Sequence, residues 1–150
     1  MLDKNRITTI LFDLGGVLIQ LHGTPFKPAW LPDGLADEGV WPQWLRSEAV
    51  RLFESGHINS DEFVQRFIHE TGLQAEHDEF VEHFMQWPAR LFPGVEEMLG
   101  ELGKTYRLAA LSNSNALHWP MLMQDMRLQR YIPDCISSHQ IRHMKPDRQA

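Results

Sequence analysis

An α/β domain with a parallel sheet and an inserted helical block is what this sequence predicts, on three observations. Short apolar runs with strand character occur at Ile7–Phe12, Arg107–Leu111 and Ile132–Ser137. Amphipathic helical patterns separate them, and such strand-helix-strand alternation implies parallel pairing. Three helical patterns also stand together between the first two runs, which divides the chain into core, insertion and core. The expected boundaries are 1–19 and 90–150 for the core and 20–89 for the insertion.

Taken in order, Ile7 to Phe12 is rich in β-branched and aromatic residues, as a buried strand requires. Gln20 to Gly39 carries Pro25, Pro28 and Pro32 among several glycines and reads as a loop or linker. Trp41 to Phe53 repeats apolar residues at spacings of three and four, and Gly56 stops it. Asn59, with Glu62 three residues on, forms a capping-box signature that opens a helix from Ser60 to Thr71, closed by Gly72. Its buried face is Phe63, Val64, Phe67 and Ile68. A third helix is expected from about Ala75 to Trp87, ending before Pro88. Pro93-Gly94 then opens an amphipathic helix from Val95 to Leu102, which Gly103 ends. Arg107 to Leu111 is the second strand. Leu117 to Met126 is helical, with Pro120 placing the start near Trp119. Ile132 to Ser137 is the third strand.

With 150 residues and 43% hydrophobic content, the chain can form one ordinary domain with a core. A net charge of −6 gives no electrostatic reason to expect nucleic-acid binding. The lone Cys135 cannot form an internal disulfide. Asp3-Lys4-Asn5-Arg6 precede only a short apolar run, so no signal peptide is expected, and no stretch reaches the ~20 apolar residues a membrane helix needs. A cytoplasmic location without membrane contact is the expectation.

Chemistry concentrates at Asp13. A carboxylate at the end of a buried strand, on the glycine-bearing turn Leu14-Gly15-Gly16, suits covalent attack on phosphorus or on an activated carbon. The competing reading is a helix cap or turn residue. The segment Ile10-Leu11-Phe12-Asp13-Leu14-Gly15-Gly16-Val17-Leu18 resembles the first motif of the haloacid dehalogenase-like (HAD) hydrolases. Leu108-Ala109-Ala110-Leu111-Ser112-Asn113-Ser114-Asn115 is similar to their second motif, and Lys145-Pro146-Asp147 to their third. Three weak motifs in the family's order make a strong combined signal.

The resemblance implies a Rossmann-like core with a helical cap. Phe53-Glu54-Ser55-Gly56-His57-Ile58-Asn59-Ser60-Asp61-Glu62-Phe63 looks like a recurring piece of that cap; the alternative is that these helices simply extend the core. It further implies that Asp13 is the nucleophile, forming an aspartyl-phosphate that water hydrolyses. Ser112 and Lys145 would complete the catalytic set, and Leu14, Gly15 and Asn113 would bind substrate. Mg²⁺ would be held by Asp13 and the Gly15 carbonyl, with acidic residues of a fourth motif. The substrate class would be a small phosphorylated metabolite. Against this, Ser112-Asn113 could be an ordinary strand-ending turn and Lys145 a solvated surface lysine. For Asn115 and His118, capping and solvation compete with substrate contact. His139 and His143 stand four apart without a third ligand, so zinc is not expected. Packing is the favoured role of Trp30, Trp41, Trp44 and Trp87.

Two departures from the family pattern stand out. Gly15 occupies the place where phosphatases of this kind carry an aspartate acid/base, a loss that costs ~10²–10⁴-fold. The Asp-Leu-Gly turn and the Leu-Ser-Asn-Ser-Asn run resemble the sugar-1-phosphate phosphatase-like branch, whose anomeric leaving oxygen needs less protonation. The chain also ends at Ala150 without the fourth motif, which would need roughly 50–60 more residues at about 30 per βαβ unit. The expectation is therefore a C-terminally truncated core with impaired activity and the first strand left as a bare edge. Two other functions fit the same residues: a metal-free 2-haloacid dehalogenase, and a HAD-fold binding protein without catalysis.

Overall fold

A computed structural model describes residues 7–36 and 38–150. The charged leader Asp3-Lys4-Asn5-Arg6 and Asp37 lie outside the described residues. Strand β1 (Thr9–Phe12) pairs in parallel with β4 (Arg107–Ser112), and β4 pairs in parallel with β5 (Asp134–Ser137). The α/β class and the parallel sheet are as the alternation predicts. Each parallel crossover carries helices: α1 (Val40–Arg46), α2 (Glu48–Glu54), α3 (Ser60–Thr71), α4 (His77–Met85) and α5 (Val95–Leu102) between β1 and β4. A π-helical turn, Met121–Asp125, lies between β4 and β5, and α6 (Ser138–Ile141) follows β5. Among the described residues β1 pairs on one side only, and its Leu11 is 60% exposed.

Apolar side chains gather in two clusters. Leu14, Leu18, Leu99, Leu108, Leu128 and Ile132 pack on the parallel sheet, while Trp44, Phe53, Phe63, Phe67, Phe80 and Phe84 hold the helices α1–α4 together. Phe53 and Phe63 stack with ring centroids 4.4 Å apart, so α2 and α3 meet through aromatic faces. Trp30 and Trp44 are buried in this second cluster, as packing residues, while Trp41 is 44% exposed and leans on Trp87.

The capping box forms as its spacing requires: Asn59 Oδ1 accepts from Glu62 N at 2.9 Å, and Glu62 Oε2 accepts from Asn59 N at 3.2 Å. Gly72 closes α3 at φ 67°, a left-handed angle that suits glycine. Three readings need correction. The single helix Trp41–Phe53 is two, broken at Ser47, whose backbone is extended and whose Oγ accepts from Val50 N at 3.1 Å. Glu70 on α3 fixes that break by accepting from Ser47 Oγ and from the backbone N–H of Glu48 and Ala49. The stretch after Ile19 is not all loop. Ile19–Leu21 forms strand β2, which pairs antiparallel with β3 (Pro88–Leu91). Pro88 therefore begins a strand besides ending a helix. Finally, the third helix is shorter than expected, at His77–Met85. Among the described residues, no helix is long and apolar enough to cross a membrane.

Candidate active site

Asp13 follows β1 directly, and Ser112 is the last residue of β4. Because Phe12 lies opposite Ala110 in a parallel pair, both side chains stand at the carboxyl ends of neighbouring strands. In open α/β sheets that end holds the ligand crevice. The turn after Asp13 is tight: the Leu14 carbonyl accepts from Val17, Leu18 and Ile19 N–H groups at 2.9–3.1 Å. Gly16 makes it possible at φ 73°. Leu14 is fully buried and anchors the turn in the core, so its contribution to the crevice is backbone alone. Its N–H donates to Asp13 Oδ1 at 2.7 Å.

Lys145 comes from the loop after α6 and places Nζ 2.9 Å from the same Asp13 Oδ1. Asn113 sets that loop in position. Its Oδ1 accepts from Lys145 N at 2.8 Å, and its Nδ2 donates to Lys145 O at 3.0 Å. The substrate contact expected of Asn113 is through its backbone N–H, so the side chain's engagement with the lysine backbone does not compete with it. Ser112 is 4% exposed, and its hydroxyl makes only a long 3.4 Å contact with Asn113 O. It is bonded to neither Asp13 nor Lys145. Rather, it lines a cavity of about 80 Å³ with Gly15, Asn113, Glu54, Trp87 and His118.

Gly15 needs no special backbone here. A Cβ built on it meets only Leu21 side-chain atoms at 3.8 Å, an ordinary contact. Steric exclusion of a Cβ is therefore not what makes position 15 a glycine.

A larger cavity of about 790 Å³ adjoins Asn113 and Lys145 and is bounded by α2 on the far side. Glu54, at the carboxyl end of α2, borders both cavities, and desolvation pushes its pKa up to about 7. Glu54 falls within the cap-like segment of the sequence, but nothing local gives it a place at the site; that depends on how α2 docks. That docking is close. Ser138 Oγ donates to the Glu54 carbonyl at 2.5 Å and accepts from Ser114 N at 3.0 Å, joining α2, α6 and the segment after β4.

His118 is buried, not solvated. It takes a contact from Asn115 Nδ2 to Nδ1 at 3.2 Å, and its Nε2 lies 2.8 Å from the Phe84 carbonyl. Burial drives its pKa down to about 4 despite the Phe84 bond, so the ring is neutral and Nε2 donates to that carbonyl. Asn115 caps its turn by accepting from Leu117 and His118 N–H groups. His139 bonds Ser137 and His143 borders the larger cavity. Among the described residues, no three His, Cys, Asp or Glu side chains gather as metal ligands. The Trp87 indole N–H is buried without a partner, beside the smaller cavity.

Comparison with solved structures defines the class of fold. The chain is similar to a HAD family enzyme from Bacteroides thetaiotaomicron in complex with magnesium and inorganic phosphate (TM-score 0.73, 20% identity, 94% of this chain and 73% of that one). It is similar as well to a HAD-like family hydrolase from Porphyromonas gingivalis (TM-score 0.72, 23% identity, 94% and 71%). A 2-haloacid dehalogenase from Pseudomonas syringae is more distant (TM-score 0.56, 21% identity, 94% and 68%). No family model and no curated protein matches the chain. The fold is therefore that of the HAD-family hydrolases.

Proposed function

We propose that this chain is a HAD-type hydrolase that cleaves a small phosphorylated metabolite, with Asp13 as nucleophile. The observation that carries this reading is the Asp13–Lys145 pair at 2.9 Å, at the carboxyl ends of β1 and β4. A carboxylate attacking a phosphate needs positive charge beside it, and Lys145 supplies one held in place by Asn113. Ser112 and the Asn113 N–H are the donors for the phosphoryl oxygens. The reading is also supported by the likeness to an enzyme whose crystals hold magnesium and phosphate.

The donors present fit Mg²⁺. Asp13 Oδ2 and the Gly15 carbonyl are hard oxygen ligands, and Mg²⁺ takes one or two carboxylates with substrate phosphate and water. When bound, the ion neutralises phosphate charge. The helices α1–α4, which lie within the interval 20–89, act in this proposal as a cap that excludes water and selects substrate.

Phosphate release from a panel of sugar and alkyl phosphates, with Mg²⁺ and then with EDTA, tests the proposal. Turnover lost with EDTA and in Asp13→Asn is the expected result. Glucose-1-phosphate turning over no faster than alkyl phosphates would remove the anomeric-leaving-group reading. Halide release from 2-chloropropionate without metal would favour the dehalogenase reading, which rests on the likeness to the Pseudomonas syringae enzyme. Stoichiometric phosphate-analogue binding without any turnover would favour a binding protein.

A further inference from the structure

Resting on the phosphohydrolase reading above, we propose that Glu54 is the general acid/base of this site, acting from the helical layer in place of the carboxylate that position 15 lacks. Of the residues that line the two cavities, only Glu54 and Asn113 border both: the small one with Gly15 and Ser112, and the large one with Lys145. Asn113 is committed to the Lys145 backbone. Glu54 is thus the carboxyl group standing between the phosphoryl donors and the space a leaving group would fill.

Its placement is built, not incidental. The Glu54 carbonyl is held by Ser138, which bonds the backbone of Ser114 next to the phosphate-site residues. Two residues on, Gly56 runs so close to α6 that a Cβ would lie 2.1 Å from the His139 carbonyl oxygen. Helix α2 therefore ends against the sheet's carboxyl edge with almost no slack. With its own carbonyl bonded and the chain two residues on packed against α6, the Glu54 backbone is fixed, so its carboxyl group works from a set origin, as a proton-transfer group must.

The charged groups facing Glu54 do not hold it ionised. Arg46, Glu48, Arg51 and His57 lie on its own side, Arg142, His143, Lys145 and Asp147 on the facing loop, and His118 beside the small cavity. Desolvation is the sole cause of its raised pKa of about 7, with no ion pair or hydrogen bond offsetting it. Near neutral pH such a group is populated in both protonation states, which suits a residue that must give a proton and then take one.

The proton balance is closed. In the first half, Asp13 bonds to phosphorus as the P–O bond to the leaving group breaks, and the protonated Glu54 transfers its proton to that oxygen. In the second half, the Glu54 carboxylate takes a proton from the attacking water as the new P–O bond forms. The Asp13–phosphorus bond then breaks, which releases inorganic phosphate and restores protonated Glu54.

A leaving-group series in the intact chain with Mg²⁺ tests this. In Glu54→Gln, turnover of alkyl phosphates should fall ~10²–10⁴-fold. Single-turnover release of p-nitrophenol, which needs no proton, should fall less than tenfold and leave trapped aspartyl-phosphate on the enzyme. Glu54→Asp should recover part of the alkyl activity. Circular dichroism at matched temperature separates misfolding from lost chemistry, and Glu54→Ala, differing in size, must show the same leaving-group dependence. Equal losses on alkyl and nitrophenyl phosphates in the single turnover, or no loss at all, would overturn the assignment while leaving the hydrolase reading intact. Absence of any phosphoryl transfer by the wild-type chain would instead overturn both readings.

Discussion

Asn113 grips Lys145 by both faces of its peptide backbone, accepting from its N–H at 2.8 Å and donating to its carbonyl at 3.0 Å. One side chain at the end of β4 thereby sets the height at which the lysine reaches Asp13. Replacing it by alanine removes two hydrogen bonds, which are worth about 1 kcal/mol each in net stability. Asn113→Ala should therefore lower stability by about 1–3 kcal/mol and reduce kcat about 10- to 100-fold, since misplacement by ~1 Å can cost ~10². Urea melts and steady-state kinetics on one preparation check both numbers. Unchanged kcat would mean that the clamp is only structural.

The Asp13–Lys145 pair should behave oppositely. Both side chains are partly exposed, so the ion pair itself contributes only about 0–1 kcal/mol to folding. Asp13→Asn and Lys145→Met should then melt within a few degrees of the parent while losing turnover, completely for the first and by ~10² or more for the second. A large drop in melting temperature for either would assign the pair to the fold instead.

Acid stability turns on His118. Its pKa is about 4 in the folded state against an ordinary value of 6.5. Between those values the unfolded chain binds a proton that the folded chain refuses, so stability falls as pH drops from 6.5 towards 4, by about 3 kcal/mol in all. Glu54 has the opposite sign. Its folded pKa near 7 exceeds the ordinary 4.5, so its burden is absent at pH 4.5 and complete above pH 7. Glu54→Gln should consequently match the parent near pH 4.5 and melt higher at pH 8. Denaturant titrations of the parent, His118→Gln and Glu54→Gln across pH 4–8 would separate the two contributions.

Room at position 15 invites the reverse experiment. With the nearest atoms to a built Cβ at 3.8 Å, Gly15→Asp should fold normally. It places a carboxyl group two residues from the nucleophile, where it can protonate a leaving oxygen. In the Glu54→Gln background, Gly15→Asp should raise alkyl phosphate turnover at least tenfold over the single variant.

How much of this could be read from residues alone follows the range of each interaction. The Asn59–Glu62 box is local, three residues apart, and it forms as read. The parallel strands announce themselves by apolar runs. Strand β2 has three residues and finds β3 about seventy positions away, so no periodicity could reveal it. The break at Ser47 needs Glu70 from another helix to satisfy its freed N–H groups. At the site, motif order was enough to bring Lys145 to Asp13. It could not show that the Asn113 side chain serves the lysine backbone, nor single out Glu54, one of two glutamates on α2. Both depend on tertiary docking, which local sequence does not encode.

That docking can be tested at Gly56. Its φ of 70° is costly for any residue with a side chain, by roughly 1–2 kcal/mol. The greater obstacle is backbone: an added Cβ would sit 2.1 Å from the His139 carbonyl oxygen and 2.9 Å from its carbon. Backbone cannot step aside as a side-chain tip can, so Gly56→Ala should push the end of α2 away from α6. Phe53, further back on α2, stays anchored in the aromatic cluster on Phe63. The displacement should thus fall on Glu54 and on its carbonyl bond to Ser138. Gly56→Ala should lose alkyl phosphate turnover in proportion to Glu54→Gln, while Asp13 still accepts the phosphoryl group from p-nitrophenyl phosphate. Hydrogen exchange should quicken at the α2 carboxyl end and at Ser114, leaving the capped start of α3 protected.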